Sequence, residues 1–251
     1  MKDASIILIS GWAHGAETIA ALATALGTSL PVALLSLADL GKDAEGKGPS
    51  PVPASPYARS LVKHIARAAG PVLLVGWSTG GMVAVEAAAS FPQKMAGLVL
   101  VSATARFCSE EGYPHGVPQT ALRAMRLGLR RRPELVLNDF FSRAALPAKM
   151  GNGEMARKMG AALARGTEAL QHGLEYLQNT DLRGALSGIV QPCLVIHGKK
   201  DAIVPWRAGE FLHQNLIHCT AAFLPDAGHA MPEHAKDRTA ALIREFLENL
   251  L

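Results

Sequence analysis

Residues Gly76-Trp77-Ser78-Thr79-Gly80 follow directly on the apolar run Pro71-Val72-Leu73-Leu74-Val75 and lead straight into Gly81-Met82-Val83-Ala84-Val85-Glu86-Ala87-Ala88-Ala89. The first run reads as a buried strand and the last as a helix with small residues facing a sheet. A strand that stops where a helix starts leaves one residue on a tight, strained turn. A serine there, in the pattern G-x-S-x-G, is placed as a nucleophile. The glycines suit the same turn, because side chains would clash where strand and helix nearly touch.

The rest of the chain repeats this alternation. Apolar runs at Ala4–Ser10, Val32–Leu37, Val72–Val75, Gly97–Val101, Cys193–His197 and Thr220–Leu224 read as strands. They are near-continuous rather than alternating, as in a parallel sheet covered on both faces. Helices are expected at Glu17–Leu26, Ala58–Ala69, Gly80–Ser90, Arg207–Asn215 and Pro232–Leu250. The implied fold class is α/β, a mostly parallel doubly wound sheet, with chemistry at the carboxyl ends of its strands. The alternation breaks between residues 104 and 184, an Arg-rich helical stretch punctuated by Pro114, Pro118, Pro133 and Pro147. It reads as a helical cap inserted into a core of residues 1–103 and 185–251. Residues 41–55 read as a polar Gly/Pro-rich loop. There are no internal repeats.

Composition narrows the function classes. The 251 residues are 49% apolar and 18% charged, which permits a large core and excludes a disordered chain. Cys108, Cys193 and Cys219 make an odd number with no C-x-x-C, so no disulfide framework is implied, and Cys193 and Cys219 read as small buried apolar residues. No run approaches the roughly 18 apolar residues of a membrane span, and the N-terminal apolar stretch is too short for a signal peptide, so a soluble cytoplasmic protein is expected. Net charge is +4, and it is uneven: residues 106–172 hold eleven Lys/Arg against six Asp/Glu, the remainder fourteen against fifteen.

With strand, elbow and helix in place, the chain resembles the α/β-hydrolases over nearly its whole length. A serine hydroxyl needs a base, and the base needs an orienting acceptor. In that fold they follow in the order Ser, Asp, His, each after a strand. Asp201 is the expected acid: it follows Leu194-Val195-Ile196-His197-Gly198-Lys199-Lys200 and precedes Ala202-Ile203-Val204-Pro205, the strand, G-x-x-D and V-P arrangement usual for the acid loop. Asp181 and Asp226 lack that pattern. His229 is the expected base, between the last strand and the last helix. The other histidines, His197 included, have no comparable placement. None has metal-ligand spacing, so neither a catalytic metal nor another cofactor is expected. The oxyanion hole is assigned to the backbone N–H groups of Thr79 and of Trp12, in the loop after the first strand.

A narrower resemblance is to the pimeloyl-[acyl-carrier protein] methyl ester esterases. It rests on Gly11-Trp12, on Gly76-Trp77-Ser78 with Gly80-Gly81, on Asp201 to Pro205, and on Gly173-Leu174-Glu175-Tyr176-Leu177 leading to Thr180-Asp181-Leu182-Arg183. The chain departs from that pattern at Ser10, where histidine is usual, and at Asp39-Leu40-Gly41, which replaces a D-x-P-G-x-G-x-S loop. The resemblance implies a serine carboxylesterase that releases methanol, with Trp12, Trp77 and Phe141 around the acyl group. It also implies an acidic carrier protein docked on cap cations, for which Arg123, Arg126, Arg130, Arg131, Arg132, Arg157 and Lys158 are candidates. A short-chain esterase without a carrier, an acyltransferase or small lipase on the same triad, and a non-catalytic binding module are the alternatives. The basic residues carry no aromatic-interleaved motif, so no nucleic-acid partner is expected.

Overall fold

The computed structural model describes residues 3–42 and 55–250. Six strands form one sheet: β1 (Ser5–Ile9), β2 (Val32–Leu35), β3 (Val72–Trp77), β4 (Met95–Val101), β5 (Cys193–Gly198) and β6 (Cys219–Leu224). All neighbouring pairs are parallel, in the order β2-β1-β3-β4-β5-β6. Side chains alternate between the two faces of a strand. Ile7, Ile9 and Leu74 enter one core, while Ile6, Leu8, Leu73, Val75 and Trp77 enter the other.

Helices cover both faces. On the second face lie α1 (Glu17–Leu26) and the last helix, each burying residues at helical spacing: Ile19, Leu22 and Leu26, then Ala240, Ile243 and Leu247. The expected final helix is two: α10 (Met231–His234) and α11 (Lys236–Glu248), separated by Ala235 with φ −135° and ψ 28°. The first face carries α3 (Pro56–Arg67), α4 (Thr79–Ser90) and α9 (Trp206–Asn215). Strand β2 ends two residues earlier than expected because Ser36 and Asp39 start α2 (Leu37–Lys42) as a capping box: Asp39 N–H donates to Ser36 Oγ and Ser36 N–H to Asp39 Oδ2. Of the Gly/Pro-rich stretch, Gly41 and Lys42 belong to that helix and Ser55 caps α3, while residues 43–54 lie outside the described residues.

Between β4 and β5 the chain forms α5 (Gln119–Arg131), α6 (Pro133–Ala145), α7 (Asn152–Ala164) and α8 (Thr167–Asn179). These lie over the carboxyl ends of the strands. The sheet's winding reverses between β1 and β3, since β2 flanks β1 on one side and β4 follows β3 on the other. The crevice outside those two strand ends is where a doubly wound sheet places ligands. No helix among the described residues is long and apolar enough to cross a membrane.

Candidate active site

Ser78 sits in that crevice. It has φ 57° and ψ −122°, with β3 ending before it and α4 starting at Thr79. A non-glycine residue in such a conformation costs on the order of 1–3 kcal/mol, held here by its surroundings. The Ser78 N–H donates to Val101 O (2.9 Å), and the Ser78 carbonyl accepts from Gly81 N–H (2.9 Å). The helix presses so closely on the sheet that a Cβ on Gly76 would stand 2.5 Å from Gly81 Cα, and one on Gly80 2.5 Å from Ile9 O. The loop after β1 lies alongside: a Cβ on Gly11 would be 3.0 Å from Ser78 Cβ.

The structure brings Asp201 and His229 to this serine. His229 Nε2 is 3.0 Å from Ser78 Oγ, and His229 Nδ1 is 2.8 Å from Asp201 Oδ2. An ionised carboxylate only accepts, so Nδ1 donates to it and Nε2 is left to accept from the serine hydroxyl. Asp201 Oδ1 takes the N–H groups of Ile203 and Val204, each at 2.8 Å. Burial would raise the Asp201 carboxyl, but His229 and His197 beside it outweigh burial and hold it well below the usual carboxylate range. The two loops are stitched together by Lys200 N–H to Ala227 O (2.9 Å). Both side chains are almost fully buried. Asp181 and Asp226 lie elsewhere: Asp181 pairs with Arg106 (2.9 Å) and Arg183 (2.7 Å), and Asp226 pairs with Arg238 (2.9 Å). Among the described residues no three His, Cys, Asp or Glu side chains are grouped to hold a metal ion.

Above Ser78 opens a cavity of about 460 Å³. Trp12, Ser78 and Thr79 form its floor, and α5, α6 and α8 supply apolar walls, among them Leu122, Met125, Phe140, Leu174 and Leu177. As the first residue of α4, Thr79 has an N–H with no carbonyl one turn back to bind. The Trp12 indole faces the inserted helices: Nε1 donates to Leu170 O (2.9 Å), and the ring meets Phe140 edge-on at 4.8 Å. Gly173 of α8 makes room for it, since a Cβ there would be 2.6 Å from Trp12 Cδ1. The Gly173–Leu177 run is therefore cavity wall, and Tyr176 anchors it by donating to Glu86 (3.0 Å).

Two expected wall residues stand elsewhere. Trp77 lies outside the cavity, because alternation along β3 turns it to the α1/α11 face, where Nε1 donates to His229 O (2.9 Å). It supports the His229 loop from beneath. Phe141 is fully buried against His14 (5.2 Å between rings), and its neighbour Phe140 lines the cavity instead. One residue along a helix is a rotation of about 100°, enough to exchange wall for core. With Leu135, Val136, Asp139 and Arg143, Phe140 occupies one face of α6, a spacing visible in the sequence once the helix start is known.

The cations expected to dock a carrier divide. Arg123, Arg130, Arg131, Arg132 and Arg157 are exposed. Arg126 is half-buried and donates to Gln178 (2.7 Å), while Lys158 is turned inward, paired with Glu233 and placed 6.0 Å over the Phe141 ring. Nothing in the sequence marks Arg143, which reaches from α6 to Ala202 O (2.8 Å). His14 and His197, which have no placement in the sequence comparable to that of His229, are both buried close to the site: the His14 imidazole is held well below its ordinary value, first by burial and then by the charge of Lys158, and His197 lies beside Asp201.

Residues 6–242 match the sequence pattern of the Alpha/beta hydrolase family. A pimeloyl-[acyl-carrier protein] methyl ester esterase of Neisseria meningitidis serogroup A is 32% identical over 254 residues, covering all of this chain and 80% of its own length. One from Xylella fastidiosa is 35% identical, covering 98% of this chain and 96% of its own. An esterase from Exiguobacterium antarcticum superposes with a TM-score of 0.82 at 19% identity, covering 97% of this chain and 92% of that one, which speaks to the fold.

Proposed function

The chain belongs to the alpha/beta hydrolase family, and on that footing we propose that it is a serine carboxylesterase acting on the methyl ester of pimeloyl-[acyl-carrier protein]. The observation that carries the reading is the continuous relay from Ser78 through His229 to Asp201, at 3.0 and 2.8 Å, beneath an apolar cavity. The name shared by the relatives supports the substrate.

In this reading His229 Nε2 takes the Ser78 proton as Oγ attacks the ester carbonyl carbon. The Trp12 and Thr79 N–H groups stabilise the tetrahedral oxyanion. Asp201 keeps the imidazole in the working tautomer and stabilises its charged form. The intermediate collapses, the C–O bond to the methoxy group breaks, and His229 returns the proton so that methanol leaves. Water then attacks the acyl-enzyme, His229 again taking and returning a proton, and the free carboxylate departs with Ser78 restored. The acyl chain lies along Leu122, Met125, Phe140, Leu174 and Leu177. Residues 104–184 act as the cap on a core of 1–103 and 185–251. The exposed Arg123, Arg130, Arg131, Arg132 and Arg157 receive the acidic carrier.

The test is hydrolysis of pimeloyl-carrier-protein methyl ester beside p-nitrophenyl butyrate, by wild type and Ser78→Ala. Preference for the carrier-bound ester, lost in the variant, is the expected result. Serine-dependent turnover of the small ester alone would replace the substrate assignment with a short-chain esterase. Full activity in Ser78→Ala would remove the serine mechanism.

A further inference from the structure

One buried histidine has no part in the proton transfers above. His197, on β5, is fully buried against the acid loop. Its Nε2 lies 3.1 Å from Val204 O and 3.3 Å from Asp201 Oδ2. Both are acceptors, so Nε2 carries the proton. Nδ1 is buried and has no hydrogen-bond partner among the described residues. The ring packs closely on Gly209 of α9, where a Cβ would stand 2.5 Å from Nδ1.

Asp201 is thus held differently at its two oxygens. Oδ1 takes the two backbone N–H groups of its own loop, while Oδ2 takes His229 Nδ1–H and has His197 Nε2 3.3 Å away. The backbone pair fixes one oxygen; the angle of the carboxylate plane depends on what holds the other. His229 is the group to be oriented, so it cannot also be the fixed reference. His197 can be, because it stands on a sheet strand.

We propose that His197 is a positioning residue: its ring, bonded through Nε2–H to Val204 O and standing 3.3 Å from Asp201 Oδ2, sets the carboxylate plane at which Oδ2 meets His229 Nδ1. The inference rests on reading Ser78, His229 and Asp201 as nucleophile, base and acid. His197 touches neither the cavity nor the reacting atoms, so its loss lowers kcat and leaves KM.

Two substitutions of similar length separate the donor from the bulk. Gln places an amide N–H near the Nε2 position, and Met fills the space without a donor. On p-nitrophenyl butyrate, His197→Met is expected to lose about tenfold in kcat, a loss within what misplaced catalytic groups cost, with KM nearly unchanged. His197→Gln is expected to recover most of that loss. In parallel, the low-field proton NMR resonance of His229 Nδ1–H is expected to broaden or move upfield in His197→Met and to persist in His197→Gln. An unchanged kcat and resonance in His197→Met overturns the proposal, and so does a Gln variant as slow as the Met one. The resonance needs no turnover. A wild type without serine-dependent hydrolysis, in which the resonance still depends on residue 197, would sink the esterase reading while upholding the positioning role. Should thermal melting show His197→Met unfolded, His197→Asn replaces it, since its amide reaches only as far as Nδ1 and the same loss is expected.

Discussion

Two surfaces meet at Ser78, built on opposite terms. On the sheet side Asp201 and His229 are buried and held by directional bonds, many of them from backbone: two N–H groups on Asp201, a carbonyl of His229 taken by Trp77, one loop tied to the next. On the cap side the walls are apolar side chains on helices, and the rim is open to solvent, with Leu135 61% exposed and Asp139 and Arg143 beside it. Hydrogen bonds fail steeply with misplacement, whereas apolar contact degrades gradually. The difference teaches where each property resides. In the proposed reading, the reaction is set on the side where geometry is fixed, and the choice of substrate on the side where shape can drift.

Substitutions on the two sides should therefore differ in kind. The largest effect is expected from Asp201→Asn, which keeps the shape but favours the wrong imidazole tautomer; kcat should fall by about 10⁴-fold on any ester, with KM little changed. Equal losses on the cap side would erase the distinction. Gly173→Ala comes next, since its methyl group must displace the Trp12 indole. Overpacking of this kind costs about 1–3 kcal/mol, to be read as a lowered melting temperature, and a raised KM should accompany it. Exchange of Arg130, Arg131 and Arg132 for Glu should weaken turnover of the carrier-bound ester about tenfold, with a salt-dependent KM, and spare p-nitrophenyl butyrate. Impairment of both substrates would show the cap charges to be structural.

The smallest effect concerns the seam between the surfaces, where His14 packs between Trp77 and Phe141. Its pKa in the folded protein is lowered, so the unfolded chain binds the proton more readily. The stabilisation is then complete above the unfolded value near 6.5 and is lost as pH falls below it. Melting temperature between pH 7 and 5 should drop more steeply in wild type than in His14→Phe, by on the order of 2–4 °C per kcal/mol lost. Parallel curves would assign the acid sensitivity elsewhere.

The strands were legible because the inner ones, buried on both faces, must be apolar throughout, and the edge strands β2 and β6, though only partly covered, are still short, largely apolar runs. The Ser, Asp and His were legible because each follows a strand. The stretch 104–184 was legible only as helical. Whether Phe140 or Phe141 meets the cavity depends on the rotational phase of α6, fixed by where Pro133 starts it and what it packs on. The inward turn of Lys158 depends on Glu233, 75 residues away in sequence. His197 read as one more strand residue, since nothing in its neighbours announces that Val204 and Asp201 fold back onto it.

By itself, then, the sequence determined the sheet, the elbow and the order of the three polar residues, because these follow from local backbone sterics and from the solvent-driven burial of continuous apolar runs. Tertiary structure alone decided which aromatic faces the cavity, which cations stay in solvent, and that a second histidine lies beside Asp201. Those outcomes hang on contacts between residues far apart in the chain, and such contacts leave no period or spacing to read.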